Sequence, residues 1–186
     1  MPRSLAEGKT KVVILADEPA DPENPTLSEL EDGVDASCAI VASTFNLGPQ
    51  ASQTVDEKAL CEEGNVQAFG SSEYAAEMDV FRYFEEAEDG GLPETGASQG
   101  EIGDAVFQML KTKGTIAYVY MREINKKATE DLVAGEPLWG FKIAVDNPQR
   151  PTETTGYIKR HIVGLVQRAW LDAEVAGAGN GGDSGE

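Results

Sequence analysis

Apolar runs and alternating apolar positions predict a chain built mainly from β-strands. In residues 72–85, apolar side chains such as Met78 and Val80 alternate with polar ones, which is typical of a strand with one buried face. The other strand-like segments are short and rich in β-branched or small apolar residues. The predicted strands span residues 8–16, 37–43, 72–85, 115–123, 138–145 and 157–170, with a brief strand-like piece at 54–56.

Two capping boxes predict where the helices begin. Thr26 with Glu29, and Ser98 with Glu101, have the spacing at which each side chain caps a backbone N–H of the other residue. The second box precedes an apolar stripe with helical periodicity, so it opens the longer helix. A glycine follows each segment, as is common at a helix end. The helices are therefore predicted over residues 26–33 and 98–113.

Strands dominate this pattern, and most of their connections need no crossover. The predicted fold is mainly β with one packed α-helix, a two-sheet antiparallel sandwich or partly closed barrel. The chain of 186 residues is expected to hold one β domain, 1–172, and a Gly-rich acidic tail, 173–186. The polar stretch 46–70 is long for a compact domain, so we expect it and the N-terminal arm to make assembly contacts.

The charge balance narrows the classes of function. Asp plus Glu number 33 against 15 Lys plus Arg, which gives a formal net charge of -18. Because phosphate binding needs clustered cations, the domain is not expected to bind nucleic acid. A hydrophobic content of 40% is too high for a disordered acidic segment. No apolar run approaches the roughly 20 residues of a membrane helix and no secretory signal is visible, so neither a membrane anchor nor export is expected.

Candidate chemistry is sparse. The single histidine, His161, lies within a predicted strand, and nothing in the sequence suggests a nucleophile or an orienting acid beside it. The spacing of Cys38 and Cys61 does not fit a zinc site. The two cysteines could pair in an oxidising compartment, but because no export signal is visible we expect buried or idle thiols. No glycine-rich stretch has the spacing of a nucleotide site. We therefore expect no catalytic residue, no metal and no cofactor.

The alternation in residues 72–85 places several carboxylates on one face. Glu73, Glu77 and Asp79 share the parity opposite to the apolar side chains. One interpretation is the solvent-facing side of an ordinary sheet. The other is a surface that must not bind DNA. The sequence leaves both open.

Residues 25–38 carry a family resemblance. Their sequence, Pro-Thr-Leu-Ser-Glu-Leu-Glu-Asp-Gly-Val-Asp-Ala-Ser-Cys, resembles the N-terminal region of major tail proteins, the tail tube subunits of long-tailed bacteriophages that infect actinobacteria. The order of the later segments agrees with that family, and the likeness covers most of residues 8–170. The likeness rests on the order and residue composition of the segments rather than on an invariant motif.

The resemblance implies a structural protein of the virion tail. Such subunits form hexameric rings that stack into a tube, assembled in the host cytoplasm, through which the genome passes during ejection without specific DNA binding. The partners implied are further copies of the chain, a tape measure protein, a tail terminator and distal tail proteins. The fold implied is two packed β-sheets flanked by a helix, with no catalytic residue.

Within that resemblance, two sets of residues become candidates. Glu73, Glu77 and Asp79 are candidates for a lumen-facing acidic wall, which would repel a duplex over about 8 Å at physiological salt. Three cations of the last predicted strand are candidates for contacts with acidic patches on a neighbouring subunit, which would limit repulsion within a ring. These cations are Lys159, Arg160 and Arg168.

Alternatives of other classes remain. One alternative is another virion component of similar fold, such as a tail terminator, completion or decoration protein, because the same sequence features fit such a protein. An acidic enzyme or a carbohydrate-binding β-sandwich is expected to show a metal triad or an exposed aromatic cluster, whereas Trp139 and Trp170 lie far apart in core-like strands. A free DNA mimic is expected to concentrate its carboxylates in helical rows, and here they are scattered.

Overall fold

β-Strands form most of the regular structure. The computed structural model describes residues 5–55, 61, 68–84, 104–152 and 155–177. Its strands are β1 (Thr10–Leu15), β2 (Val34–Asp35), β3 (Asn46–Pro49), β4 (Thr54–Val55), β5 (Ala68–Phe69), β6 (Tyr74–Phe81), β7 (Ile116–Glu123), β8 (Pro137–Val145) and β9 (Lys159–Glu174). Its helices are α1 (Leu27–Asp32) and α2 (Ala105–Leu110), with one 3-10 turn at Ala42–Thr44. The predicted mainly β, antiparallel class is confirmed.

Seven strands form one antiparallel sheet that does not close. Their order is β2-β1-β7-β8-β9-β6-β3, and β4 and β5 pair separately as a two-stranded sheet. The long strand β9 joins two parts of the large sheet, because residues 159–163 pair with β6 and residues 164–174 pair with β8. The β8-β9 pairing contains register shifts, and such irregularities bend a strand and increase its twist.

The segment after β2 links the two sides of the curled sheet. The N–H of Ala36 donates to the carbonyl of Val12 in β1 at 2.8 Å, and the N–H of Val41 donates to the carbonyl of Asp79 in β6 at 2.9 Å. Strands β1 and β6 lie far apart in the sheet order but are tied by this one segment. The sheet therefore wraps around an interior, as a partly closed barrel does.

The first hydrophobic core fills that interior. Strands β1, β3, β6, β7, β8 and β9 all contribute, and α2 adds Val106 and Leu110, which are 2% and 0% exposed. The core residues of β6 are Ala76, Met78 and Val80, which confirms the predicted apolar parity of this strand.

A second core lies on the other side of the large sheet. It contains Leu30 of α1, Tyr120 of β7 and Trp170 of β9. The Tyr120 hydroxyl donates to the carbonyl of Pro22 at 3.0 Å, which fastens the acidic loop 17–25 over this core. Burial raises the pKa of Tyr120, so it remains a neutral donor.

Helix α1 begins as the sequence predicts but ends differently. Both hydrogen bonds of the capping box between Thr26 and Glu29 are present. Gly33 has extended backbone angles, φ -75° and ψ 173°, rather than the left-handed conformation of many helix-terminating glycines. The close packing there favours glycine, because a Cβ would meet the side chains of Leu15 and Val13 and would lie 3.0 Å from the carbonyl oxygen of Ile14.

The strand predicted over 37–43 is wrong. Strand β2 is shorter and earlier, and it is followed by a turn, an isolated bridge and the 3-10 turn. The Asp35 carboxylate accepts hydrogen bonds from both the N–H and the hydroxyl of Ser37 at 2.9 and 2.6 Å. This local bonding favours a turn over an extended ladder.

The described part of the second predicted helix is short. Helix α2 ends at Leu110, before the predicted end at Lys113. Gly114 then adopts φ 84° in the turn that leads into β7. The capping box of Ser98 and Glu101 lies outside the described residues.

A buried arginine organises the connection between β7 and β8. The Arg122 side chain is fully buried and donates to the carbonyls of Lys127, Glu130 and Asp131 and to the carboxylate of Glu136. Burial raises the pKa of Glu136, but the hydrogen bonds from Lys126 and Arg122 outweigh burial and hold it below its ordinary value.

Strand β9 extends further than the predicted strand. It begins at Lys159 and ends at Glu174, and both Ala173 and Val175 lie in the second core at 2% and 1% exposure. The N–H of Ala176 donates to the carbonyl of Pro25 at 2.9 Å, so the chain is packed against the loop before α1 beyond the end of the strand.

Candidate functional site

The outer face of β6 and β9 carries the first set of candidate residues. In the register of these strands, Glu77 is opposite Val163 and Asp79 is opposite His161, whereas Met78 points into the first core. Directly opposite residues of an antiparallel pair share a face.

The Asp79 carboxylate contacts one cation, Lys159, and one histidine, His161. Its Oδ1 lies 2.8 Å from His161 Nδ1 and its Oδ2 lies 3.7 Å from Lys159 Nζ, and the residue is only 6% exposed. Lys159 therefore compensates the negative charge of Asp79 within the chain. His161 is a hydrogen-bonding partner in this cluster, and no nucleophile contacts it among the described residues.

Glu73 and Glu77 remain accessible. Glu77 is exposed and has no ion-pair partner in the described part of the chain. Glu73 precedes β6 and accepts a hydrogen bond from Gln53. Of the three candidate carboxylates, Glu77 presents the most available charge on the outer face.

The three candidate cations are separated in the fold. Lys159 belongs to the Asp79 cluster. Arg160 is opposite Val80, so it lies on the other face of β9, and it donates to the carbonyl of Lys159 at 2.9 Å. Arg168 is exposed near the other end of the strand, with its guanidinium carbon 5.4 Å from the centre of the Trp170 ring.

Two cations that the sequence analysis did not select also have specific environments. Arg82 forms two hydrogen bonds with the Asp104 carboxylate, at 2.7 and 2.8 Å, and its guanidinium carbon lies 3.8 Å from the centre of the Phe107 ring. This contact fixes α2 against the end of β6. Lys142 is directly opposite Arg168, and its Nζ lies 3.6 Å from a carboxylate oxygen of Glu18. In the sequence, the only indication of Arg82 was its position among the apolar residues of a predicted strand, where an apolar side chain is expected.

Acidic side chains are densest over the second core. The segment from loop 17–25 through α1 contains no Lys or Arg. Its carboxylates are Asp17, Glu18, Asp21, Glu23, Glu29, Glu31 and Asp32. A side-chain hydrogen bond from Asn24 lowers the pKa of Asp21, which favours its charged form. Much of the net negative charge of the described chain thus lies on the side of the sheet covered by α1.

Exposed apolar side chains mark the long connection 46–70 and the start of β9. In the two-stranded sheet, Val55 and Phe69 are 44% and 87% exposed. Near β9, Tyr157 is 82% exposed and packs edge-on against Phe81, with ring centres 5.7 Å apart. Groups of this kind are typical of surfaces that are covered in an assembly.

The described residues contain few features of a chemical site. Across residues 5–55, 61, 68–84, 104–152 and 155–177, no group of three or more His, Cys, Asp or Glu side chains is arranged to hold a metal ion. Within the same ranges, no helix is long and apolar enough to cross a membrane. Cys38 and Cys61 are free thiols, and both are exposed rather than buried.

Comparison with known proteins agrees with this picture of a β protein without an evident chemical site. The family model described as phage tail tube protein matches residues 1–179. The search of curated proteins found no match. The matched segment includes every strand, both helices and both cores of the described structure. This chain therefore belongs to the phage tail tube protein family.

Proposed function

We propose that this tail tube protein polymerises as stacked hexameric rings into a conduit for genome ejection and has no enzymatic role. The observation that carries the proposal is the family match over residues 1–179 of a chain whose described part forms an antiparallel β fold. Assembly takes place in the host cytoplasm, and the product is part of the virion tail. The tape measure protein, tail terminator and distal tail proteins are its further partners.

The long connection and the termini supply contacts between copies. The two-stranded sheet of β4 and β5 is separate from the large sheet and presents Val55 and Phe69 to solvent. An isolated two-stranded sheet has little stability of its own in water, so a neighbouring copy would stabilise it. Arg160, Arg168 and Lys159 are the proposed cationic contacts along β9, and Lys159 acts there as part of the Asp79 cluster.

The outer face of β6 and β9 lines the conduit in this proposal. Glu77, with Glu73 at the end of the strand, supplies negative charge that keeps DNA from binding to the wall. Asp79 belongs to the same face, but it is paired with Lys159 and hydrogen-bonded to His161, so its main contribution is to hold the two strands together. The wall charge of each copy therefore comes from Glu77 and Glu73.

Electron microscopy of the purified full chain tests assembly. The expected result is hollow tubes of stacked six-fold rings at high protein concentration. Single rings that never stack would favour a tail terminator or completion protein, and persistent monomers would contradict self-assembly of this chain.

Charge reversal tests the wall. Tubes of Glu77→Lys are expected to retain short duplex DNA in a sedimentation assay, and retention should fall steeply with added salt because phosphate contacts release counterions. Tubes of Glu31→Lys, altered to the same extent on α1, serve as the matched control. DNA retention by the Glu31 variant alone would place α1, rather than the β6-β9 face, on the lumen.

A further inference from the structure

Strands β8 and β9 place two cations directly opposite each other on the outside of the large sheet. Lys142 is the register partner of Arg168, and Ala144 is the register partner of Leu165 two positions along β8. Directly opposite residues share a face, so these four side chains form one surface. We call it the β8-β9 patch.

The patch has more positive charge than its own chain neutralises. Like charges directly opposite in a sheet are destabilising. Glu18 approaches Lys142 to 3.6 Å, but Arg168 forms no ion pair within residues 5–55, 61, 68–84, 104–152 and 155–177. The stacking of Arg168 on Trp170 orders the guanidinium without neutralising it. An anion from outside the described chain would relieve this repulsion.

The apolar part of the patch is also uncovered. Leu165 is 64% exposed, whereas Tyr118, which is opposite Lys142 on the neighbouring strand β7, is 3% exposed in the second core. The acidic loop 17–25 thus covers the sheet as far as Lys142 and does not cover Leu165. Arginine is enriched in protein interfaces, and Leu165 adds an exposed apolar contact on the same face as Arg168.

Resting on the function proposed above, we propose that the β8-β9 patch binds carboxylates of a second copy of this chain. The chain offers 33 Asp and Glu residues against 15 Lys and Arg, so a neighbouring copy is a concentrated source of carboxylates. Copies with a net charge of -18 repel one another unless cations lie at their contacts. Arg168 supplies a planar fork that fits a carboxylate, and Lys142 adds a second charge beside it.

Assembly of charge variants provides the first test. Arg168→Glu is expected to raise the protein concentration needed for tube formation by at least about tenfold, since truncating interfacial charge pairs has effects of this size or larger. Lys127→Glu, an exposed cation in the β7-β8 connection with the same change in net charge, is the matched control and should assemble like the unaltered chain. Leu165→Ser should weaken assembly without any change in charge. Circular dichroism of unassembled subunits verifies folding of each variant.

Carbodiimide crosslinking of the unaltered chain provides a second test that needs no variant. This reagent joins a lysine amine to a contacting carboxylate. In tubes grown from a mixture of 14N- and 15N-labelled chains, Lys142 should appear in mixed-isotope peptides, whereas unassembled subunits should give only the internal link to Glu18. Crosslinking thus reports the neighbour directly.

The outcomes separate the two proposals. Failure of the unaltered chain to form rings or tubes contradicts the proposed function. Normal tubes from the unaltered chain, from Arg168→Glu and from Leu165→Ser, with Lys142 linked only within its own chain, would overturn the role of the patch and leave the tube function standing.

Discussion

Replacing Arg122 with methionine should destabilise the subunit far more than removing the other cation that contacts the same carboxylate. Arg122 is fully buried and donates four hydrogen bonds, to three backbone carbonyls at 2.6–3.3 Å and to Glu136 at 3.1 Å. Arg122→Met would leave these three carbonyls without their buried donor, and Glu136 would keep only the partly exposed Lys126 as a cationic partner. Removing one partner of a buried ion pair costs about 3–5 kcal/mol. We expect a loss in this range for Arg122→Met.

Lys126→Met is the matched control. Lys126 also contacts Glu136, but its side chain is 36% exposed and Glu136 would retain Arg122. Exposed ion pairs contribute about 0–1 kcal/mol, so this variant should remain close to the unaltered chain. Both variants remove one positive charge from the same carboxylate, but only Arg122 is buried and donates to backbone carbonyls as well.

Urea unfolding of the unassembled subunit, followed by tryptophan fluorescence, measures both losses. Trp170 is 6% exposed in the second core, so its emission should report unfolding. If Arg122→Met does not fold, Arg122→Lys keeps the charge without the planar fork and should give an intermediate loss. Equal losses for the Arg122 and Lys126 variants, or a loss below about 1 kcal/mol for Arg122→Met, would refute the argument from burial.

Two further substitutions test the sheet and its titration. Burial raises the pKa of Asp35, but hydrogen bonds from Lys11 and Ser37 outweigh burial and hold the pKa below its ordinary value. The charged carboxylate therefore stabilises the folded chain above pH 3.8, and this stabilisation is lost as the pH falls through the lowered pKa. Asp35→Asn should therefore unfold at lower urea concentration than the unaltered chain at neutral pH, and the difference should shrink in acid; a gap that widens in acid contradicts this sign. Gly140→Ala places a Cβ 2.7 Å from Tyr120 Cε1, and the overpacking should cost about 1–3 kcal/mol in the same urea assay; unchanged stability would show that Tyr120 moves freely.

The alternation in β6 and the capping box of α1 could be predicted from the sequence because each depends only on residues close together along the chain. Successive side chains of a strand point to opposite faces, so the alternation of neighbouring residues predicts which side chains are buried. Ala76, Met78 and Val80 are buried as expected. The hydrogen bonds between Thr26 and Glu29 need only one helical turn.

The prediction for residues 37–43 failed for a physical reason. Their small apolar composition suits a strand, but the Asp35 carboxylate and Ser37 form a turn, and the chain must leave β1 to reach β6. The competition between local side-chain bonding and strand pairing depends on where those neighbours lie, and composition does not contain that information.

The sequence by itself determined the β class, the acidic net charge and the likeness to tail tube proteins. It also showed no recognisable motif for catalysis, metal binding or nucleotide binding. These properties depend on composition and on the local order of residues. Only the tertiary structure decided which charges are available. It brought Asp79 within 2.8 Å of His161, 82 positions away, and within 3.7 Å of Lys159, so a carboxylate that the strand pattern places on an exposed face is buried and paired. It also set Lys142 opposite Arg168, because the register of β8 against β9 depends on packing and strand irregularities rather than on either strand alone.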